Sequence, residues 1–145
     1  MKKIIFALTI FTTVFTACNK NDGNNPSSVS TAAVNSTVTS GTWKITLFNK
    51  SGTDKTANFN GFNFTFASSG SLAAVNGILS ISGTWSSRVD DSKIKLTINF
   101  PSPSVNAFLD LNEDWVVTGR TDTQVTMQHI SGGGGGTDYL TIQKN

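Results

Sequence analysis

The feature that most constrains the fold is an alternation of apolar and polar residues with a period of two. In "KIKLTINF", Ile94, Leu96 and Ile98 alternate with lysine, threonine and asparagine. The stretches "WKITLF", "FNFTF" and "LSISGTW" alternate in the same way. Because successive side chains of a β-strand point to opposite faces, the pattern is typical of an antiparallel sheet with one buried and one wetted face.

Eight short strands are expected, joined by short connections and without a helix. In "WKITLF", Trp43, Ile45 and Leu47 are predicted to share one face. Turn signals separate the strands, among them "NG", which favours the positive φ angles of a tight hairpin. Besides the four alternating stretches, strands are predicted over residues 71–76, 108–118, 124–130 and 139–143.

An all-β domain with this many strands is expected to close into a barrel. Closure removes the unpaired strand edges that promote aggregation. The sequence therefore predicts an eight-stranded antiparallel up-and-down barrel, with a β-sandwich as the alternative. The interior of an eight-stranded barrel is either filled by side chains or just wide enough for one small ligand.

The amino terminus has the pattern of a secretory signal that ends in cysteine. Lys2 and Lys3 precede an uncharged run over residues 4–17, shorter than the about 20 apolar residues of a membrane-spanning helix. Cys18 is the one cysteine, so the chain offers it no disulfide partner. The sequence "FTAC" resembles a bacterial lipobox, which implies acylation of Cys18 and cleavage just before it. A plain or uncleaved secretory signal and a reactive thiol are the alternatives.

These features divide the chain into three segments. Residues 1–17 are predicted to be a lipoprotein signal peptide, residues 18–40 a flexible polar tether, and residues 41–145 one β domain. Two of the 11 Lys and Arg lie in the signal, so the remaining nine balance the nine Asp and Glu. A neutral chain without a basic patch argues against nucleic acid as a partner. The expected partner is a membrane, reached through the lipid anchor in the bacterial cell envelope, at the outer membrane and facing either the periplasm or the surface.

The β domain resembles the lipocalin-like lipoproteins common in Bacteroidota. The resemblance is carried by "SGTWKITLF", "GFNFTFASSGSL", "ISGTW", "KLTINF" and "LNEDWVV". Gly41-Thr42-Trp43 is similar to the Gly-x-Trp that opens the first lipocalin strand, where the Trp closes the narrow end of the barrel. The resemblance implies an up-and-down barrel with an apolar ligand in its mouth.

Large aromatic side chains are plentiful, and each can bury about 150–250 Å². One interpretation is that they form the core of a filled barrel. The other is that some line a ligand cavity with a few polar groups. The predicted lining residues are Phe62, Phe64, Trp85 and Phe108, with Trp115 and Arg120 at the rim.

The sequence gives little support for catalysis or metal binding. Asp110, Asn112 and Asp114 have the spacing of a calcium loop, but the required glycine and bidentate glutamate are replaced by Trp115 and Thr121. One histidine, His129, and no cysteine beyond Cys18 leave too few ligands for a zinc site. No cofactor, metal or catalytic residue is predicted, and the chain is not expected to be an enzyme.

Two functions remain open at the level of the sequence. The first is a lipid-anchored envelope protein whose barrel binds a small apolar molecule. The second is a structural or interaction module whose barrel is filled and whose surface meets another envelope protein or a glycan. The oligomeric state does not follow from the sequence.

Overall fold

The structure, a computed structural model, describes residues 30–132 and 135–145. The predicted signal peptide, Cys18 and most of the predicted tether lie outside these residues. The strands are β1 (Thr42–Lys50), β2 (Thr53–Asp54), β3 (Asn63–Phe66), β4 (Ser71–Asn76), β5 (Leu79–Asp90), β6 (Lys93–Asn99), β7 (Asp114–Arg120), β8 (Gln124–Ile130) and β9 (Thr137–Lys144). The helices are α1 (Thr31–Val38) and two 3₁₀ segments, Thr56–Phe59 and Asn106–Leu111.

The nine strands form one antiparallel sheet that closes into a barrel. From β3 to β9 each strand pairs with its neighbours in chain order, and β1 pairs with both β3 and β9. The short strand β2 pairs with the end of β1 and adds one strand outside the ring of eight. The prediction of an eight-stranded antiparallel barrel is confirmed, and the alternative of a β-sandwich is excluded by the β1–β9 pairing.

The antiparallel order gives the barrel two different ends. The end that carries helix α1, here called the helix end, also holds the turns after β3, β5 and β7. The opposite end, here called the loop end, holds the two 3₁₀ segments and the turns after β4 and β8. Both ends are therefore covered by chain segments that are not part of the sheet.

Strand β1 departs from strict alternation at a β-bulge. Its register with β9 shifts between Ile45 and Leu47. As a result Phe48 is fully buried, whereas the side chain of Leu47 is 41% exposed. The prediction that Leu47 shares the buried face of Trp43 and Ile45 is wrong, because the extra residue of a bulge reverses the facing of the residues that follow it.

Helix α1 lies where the sequence predicts the end of a flexible tether. Ser30 caps it, since the Ser30 hydroxyl accepts a hydrogen bond of 3.1 Å from the Ala33 amide. Val34 and Val38, one turn apart, are fully buried against the barrel. The expectation that the chain has no helix and that the tether extends to residue 40 is therefore wrong over residues 31–38.

The segment before β7 also differs from the prediction. A strand was expected over residues 108–118, but residues 106–111 form a 3₁₀ segment and β7 begins at Asp114. Within the 3₁₀ segment Phe108 and Leu111 are buried while Leu109 is 49% exposed. This spacing of three residues between buried side chains follows the period of a 3₁₀ helix, which a short apolar run does not distinguish from a strand.

Candidate functional site

The interior of the barrel towards the loop end is occupied by a cluster of phenylalanine rings. The ring of Phe108, carried by the 3₁₀ segment between β6 and β7, lies at its centre. The centroids of four other rings lie 5.0–5.9 Å from it, and three of the four meet it edge to face. Such distances and angles are those of favourable aromatic pairs. The four rings belong to Phe59, Phe62, Phe64 and Phe100.

The centre of this cluster leaves no room for water. The exposed fractions of Phe100 and Phe108 in the cluster, and of Phe48 and Trp115 next to it, are 0%. A side chain that no water molecule can touch borders neither bulk solvent nor an internal space large enough to hold water. The side chains in the middle of the barrel therefore fill the space around them, as in the close-packed core of an ordinary domain.

Three of the six predicted lining residues come together in this cluster. Phe62, Phe64 and Phe108 are 5%, 3% and 0% exposed, and the rings of Phe62 and Phe64 each contact that of Phe108. Their rings fill the space that a ligand in this part of the barrel would occupy. Their role in lining a ligand site stays a prediction.

The other three predicted residues are not among the five rings of the cluster, although Trp115 is joined to it through Phe48. Trp85 packs edge to face on Phe66, 5.6 Å away, and its indole donates a hydrogen bond to the Ala67 carbonyl. Trp115 does not lie on an exposed rim, since it is fully buried and its indole donates to the Leu111 carbonyl. Arg120 lies at the helix end, on the other side of the barrel from the phenylalanine cluster.

The calcium-like spacing does not produce a set of converging oxygens. Asp110 accepts a hydrogen bond of 2.8 Å from Lys55. The side-chain oxygen of Asn112 accepts a hydrogen bond from the Phe100 amide, and its side-chain nitrogen donates one to the Phe100 carbonyl. Asp114 instead faces the outer surface of β5 and β6, so each of the three side chains has a different partner.

Asp114 belongs to an ion-pair network on the outside of the barrel. Its carboxylate accepts hydrogen bonds from both terminal nitrogens of Arg88, at 2.6 and 3.2 Å, and from the Thr97 hydroxyl at 2.6 Å. These bonds, led by that from Arg88, lower the pKa of Asp114 from 3.8 to about 2. Asp90 extends the network, since its carboxylate accepts a hydrogen bond of 2.6 Å from the Lys95 ammonium group. This bond lowers the pKa of Asp90.

A second charged group lies at the loop end around a buried carboxylate. Asp138 is 1% exposed and accepts hydrogen bonds from the amide and the hydroxyl of Ser51. The ammonium group of Lys50 lies 3.9 Å from Asp138, 3.6 Å from Asp110 and 3.8 Å from Glu113. These contacts hold the start of β9 against the turn after β1, which is a structural task.

His129 lies beside this group and is 22% exposed. Its Nε2 is 3.4 Å from Glu113, and its ring meets Trp115 edge to face at 6.2 Å. Within residues 30–132 and 135–145, no three His, Cys, Asp or Glu side chains are placed to hold one metal ion. In the same part of the chain, no helix has both the length and the apolar character needed to span a membrane.

A cleft with polar donors lies at the helix end, and the sequence did not indicate it. It lies between helix α1, the turn after β7 and the end of β9, and its volume is about 430 Å³. Residues far apart in the chain form it, so no local motif marks it. Its lining side chains are Ala33, Ser36, Thr37, Ser40, Arg120, Asp122 and Lys144.

These observations define a closed, eight-stranded antiparallel β-barrel protein. The chain is similar in structure to a DUF4847 family protein from Bacteroides vulgatus ATCC 8482, whose crystal structure was solved at 1.00 Å resolution. The TM-score is 0.53 and the sequence identity 23%, over 77% of this chain and 97% of that protein. No family model and no curated protein matches the sequence. The likeness shows that the two proteins share a fold.

Proposed function

We propose that this protein is a non-enzymatic lipoprotein of the bacterial cell envelope, anchored through Cys18, whose filled barrel acts through its outer surface. In this role the domain is a structural or interaction module that contacts another envelope protein or a glycan. The observation that carries the proposal is the packing of Phe108 among four other rings, with no surface left open.

The filled interior supports a surface function because a carrier needs space for its cargo. Small-molecule sites are clefts of about 300–1,000 Å³ that bury most of the ligand. Phe59, Phe62 and Phe108 would all have to leave their places before an apolar molecule could enter from the loop end. Each of them is at most 5% exposed and held by edge-to-face contacts.

Binding of a small apolar molecule is the competing proposal. It is supported by the resemblance to lipocalin-like lipoproteins and by the aromatic character of the barrel interior around Phe62, Phe64 and Phe108. A fluorescent fatty acid separates the two proposals. The filled barrel predicts no saturable binding to the parent protein, whereas a carrier binds the probe stoichiometrically.

The Phe108→Ala variant serves as the positive control for this binding experiment. Removing the central ring opens an apolar cavity, and apolar cavities inside proteins stay dry and accept apolar molecules. A probe small enough for that space, such as benzene, is expected to raise the melting temperature of Phe108→Ala and not that of the parent. Stoichiometric binding of the fatty acid to the parent would overturn the filled-barrel proposal.

The proposal for the anchor rests on the sequence "FTAC" and is tested separately. The Cys18→Ala variant is expected to remain unprocessed or to leave the membrane fraction, because the thiol that carries the acyl chain is gone. Two or more chains are needed for stable attachment, and a bacterial lipoprotein carries three. Ser28→Ala, a small change in the same segment, is the matched control. Unchanged processing and membrane attachment of Cys18→Ala would contradict the anchor.

A further inference from the structure

The cleft at the helix end has the donors of an anion site. Arg120 is 25% exposed, and its Nη1 donates a hydrogen bond of 2.7 Å to the Thr37 hydroxyl. Among the described residues, its Nε and Nη2 have no hydrogen-bond partner. The bond to Thr37, which is 6% exposed, fixes the guanidinium at the wall of the cleft and leaves its remaining N–H groups for a ligand.

Lys144 adds a second positive charge to the same cleft. Its Nζ donates a hydrogen bond of 3.0 Å to the Ser40 hydroxyl, which leaves two of its three donors. Its side chain runs directly over Gly41, where an added Cβ would lie 3.0 Å from the Lys144 Cε. Gly41 thus allows the last residues of β9 to bring the ammonium group over the end of helix α1.

The neutral and negative groups in the cleft complete the site. Ser36 places a hydroxyl group on the face of helix α1 that borders the cleft. Ser40 follows the helix, and its hydroxyl already donates a hydrogen bond of 2.7 Å to the Thr37 carbonyl. The one carboxylate is that of Asp122, which is 99% exposed and lies 3.6 Å from Arg120. The cleft therefore holds two positive charges, on Arg120 and Lys144, and one negative charge, on Asp122. Because the Asp122 side chain is free to turn into solvent, the cleft keeps a net positive charge.

We propose that this cleft binds a phosphate group. A phosphate presents three or more oxygens in different directions, and it can accept hydrogen bonds from Arg120, Lys144 and the Ser36 hydroxyl together. A carboxylate has two oxygens in one plane and leaves part of this donor set unused. Arginine binds such anions through paired, charge-assisted hydrogen bonds, which are the strong ones in proteins. The phosphate is supplied either by a phospholipid headgroup or by a soluble phosphate ester.

Isothermal titration calorimetry of the full chain in detergent tests the site with two probes. Glycerol 3-phosphate represents a soluble monoester, and glycerophosphoglycerol represents a headgroup diester without acyl chains. We expect saturable binding of at least one probe, weakened by added salt because the charges are partly exposed. Preference for the diester assigns the site to a headgroup, and preference for the monoester assigns it to a soluble ester. Absence of saturable binding for both would overturn the proposal.

Three variants locate the binding in this cleft. Arg120→Gln and Lys144→Gln are each expected to weaken binding about tenfold, since each removes a charge-assisted donor. Asp122→Asn is expected to tighten it, a gain that a misfolded variant cannot produce. Arg88→Gln, which removes an arginine on the outer face of β5, is the matched control and should bind like the parent. Equal affinity of the parent, Arg120→Gln and Asp122→Asn would contradict the site.

Discussion

The indole Nε1 of Trp43 donates a hydrogen bond of 2.8 Å to the main-chain carbonyl of Val38. This bond joins the last residue of helix α1 to the first barrel strand, and both residues are fully buried. Trp43→Phe removes the donor and leaves a buried carbonyl without its partner, which costs about 1–3 kcal/mol. We expect a loss of this size in the free energy of unfolding, measured by urea titration.

The control for Trp43→Phe is another change that removes one polar group from an aromatic residue. Tyr139→Phe deletes the hydroxyl of a side chain that is 47% exposed. We expect it to alter the unfolding free energy by less than about 0.5 kcal/mol, as surface changes usually do. If the two variants were equally stable, helix α1 would not be held to the barrel by this bond.

The bulge in β1 is tested by two neighbouring residues that differ in burial. Phe48→Ala is expected to cost about 3–5 kcal/mol, because the lost ring leaves a cavity in the core. Leu47→Ala is expected to cost less than about 1 kcal/mol, because the Leu47 side chain lies on the wetted face. Measuring the unfolding free energies of the two variants shows which substitution causes the larger loss of stability. A larger loss for Leu47→Ala would show that β1 continues without the bulge.

The phenylalanine cluster gives a similar contrast within one 3₁₀ segment. Phe108→Ala removes the central ring and is expected to lose about 3–5 kcal/mol of unfolding free energy. Leu109→Ala, at the next position, removes a side chain that is 49% exposed and serves as the control. Thermal unfolding followed by circular dichroism distinguishes them. Similar melting temperatures for both variants would mean that Phe108 does not hold the loop end closed.

The ion pair of Asp114 makes stability depend on pH. Its pKa of about 2 lies below the ordinary value of 3.8, so the pair stabilises the fold above about pH 4 and is lost as the pH falls towards 2. Asp114→Asn is therefore expected to be less stable than the parent at pH 7 and to approach it at pH 2. The difference at pH 7 should be about 1 kcal/mol or less, since the carboxylate is 40% exposed and water screens the pair.

Urea titrations at the two pH values measure this effect. Asp91→Asn is the matched control at pH 7, because Asp91 lies in the exposed turn after β5 and outside the network. A constant difference between Asp114→Asn and the parent from pH 7 to pH 2 would contradict the role of the Asp114 charge.

The strands and their closure were predictable from local sequence. Residues such as Leu96 and Ile98 alternate with polar neighbours, and the buried positions follow that alternation closely. The bulge at Ile45–Leu47 was not predictable, because the stretch "WKITLF" carries no residue that marks an insertion. Its position depends on the pairing of β1 with β9, which is distant in the chain.

Helix α1 was missed for a different reason. Its sequence "TAAVNSTV" is rich in Thr, Ser and Asn, which are weak helix formers, and only Val34 and Val38 supply an apolar face. The signal that could have found it is Ser30 as an N-cap followed by two valines four residues apart. Packing against the barrel stabilises a helix that the local sequence alone would leave unformed.

The candidate site followed from the sequence only in part. The aromatic character of the interior was visible, and Phe62, Phe64 and Phe108, three of the predicted lining residues, lie near one another. Their filling of the space is a property of tertiary packing, which the sequence does not encode locally. The cleft with Arg120 and Lys144 combines three separate segments, so its discovery required the fold.

Native mass spectrometry of the protein, extracted gently from its own membranes, tests the lipid anchor and the filled barrel together. One spectrum reports both the modification at Cys18 and any molecule held inside the barrel. We expect an acylated chain that begins at Cys18 and carries no apolar adduct in more than one detergent. A stoichiometric, releasable apolar molecule on that chain would contradict the filled barrel and identify the protein as a carrier.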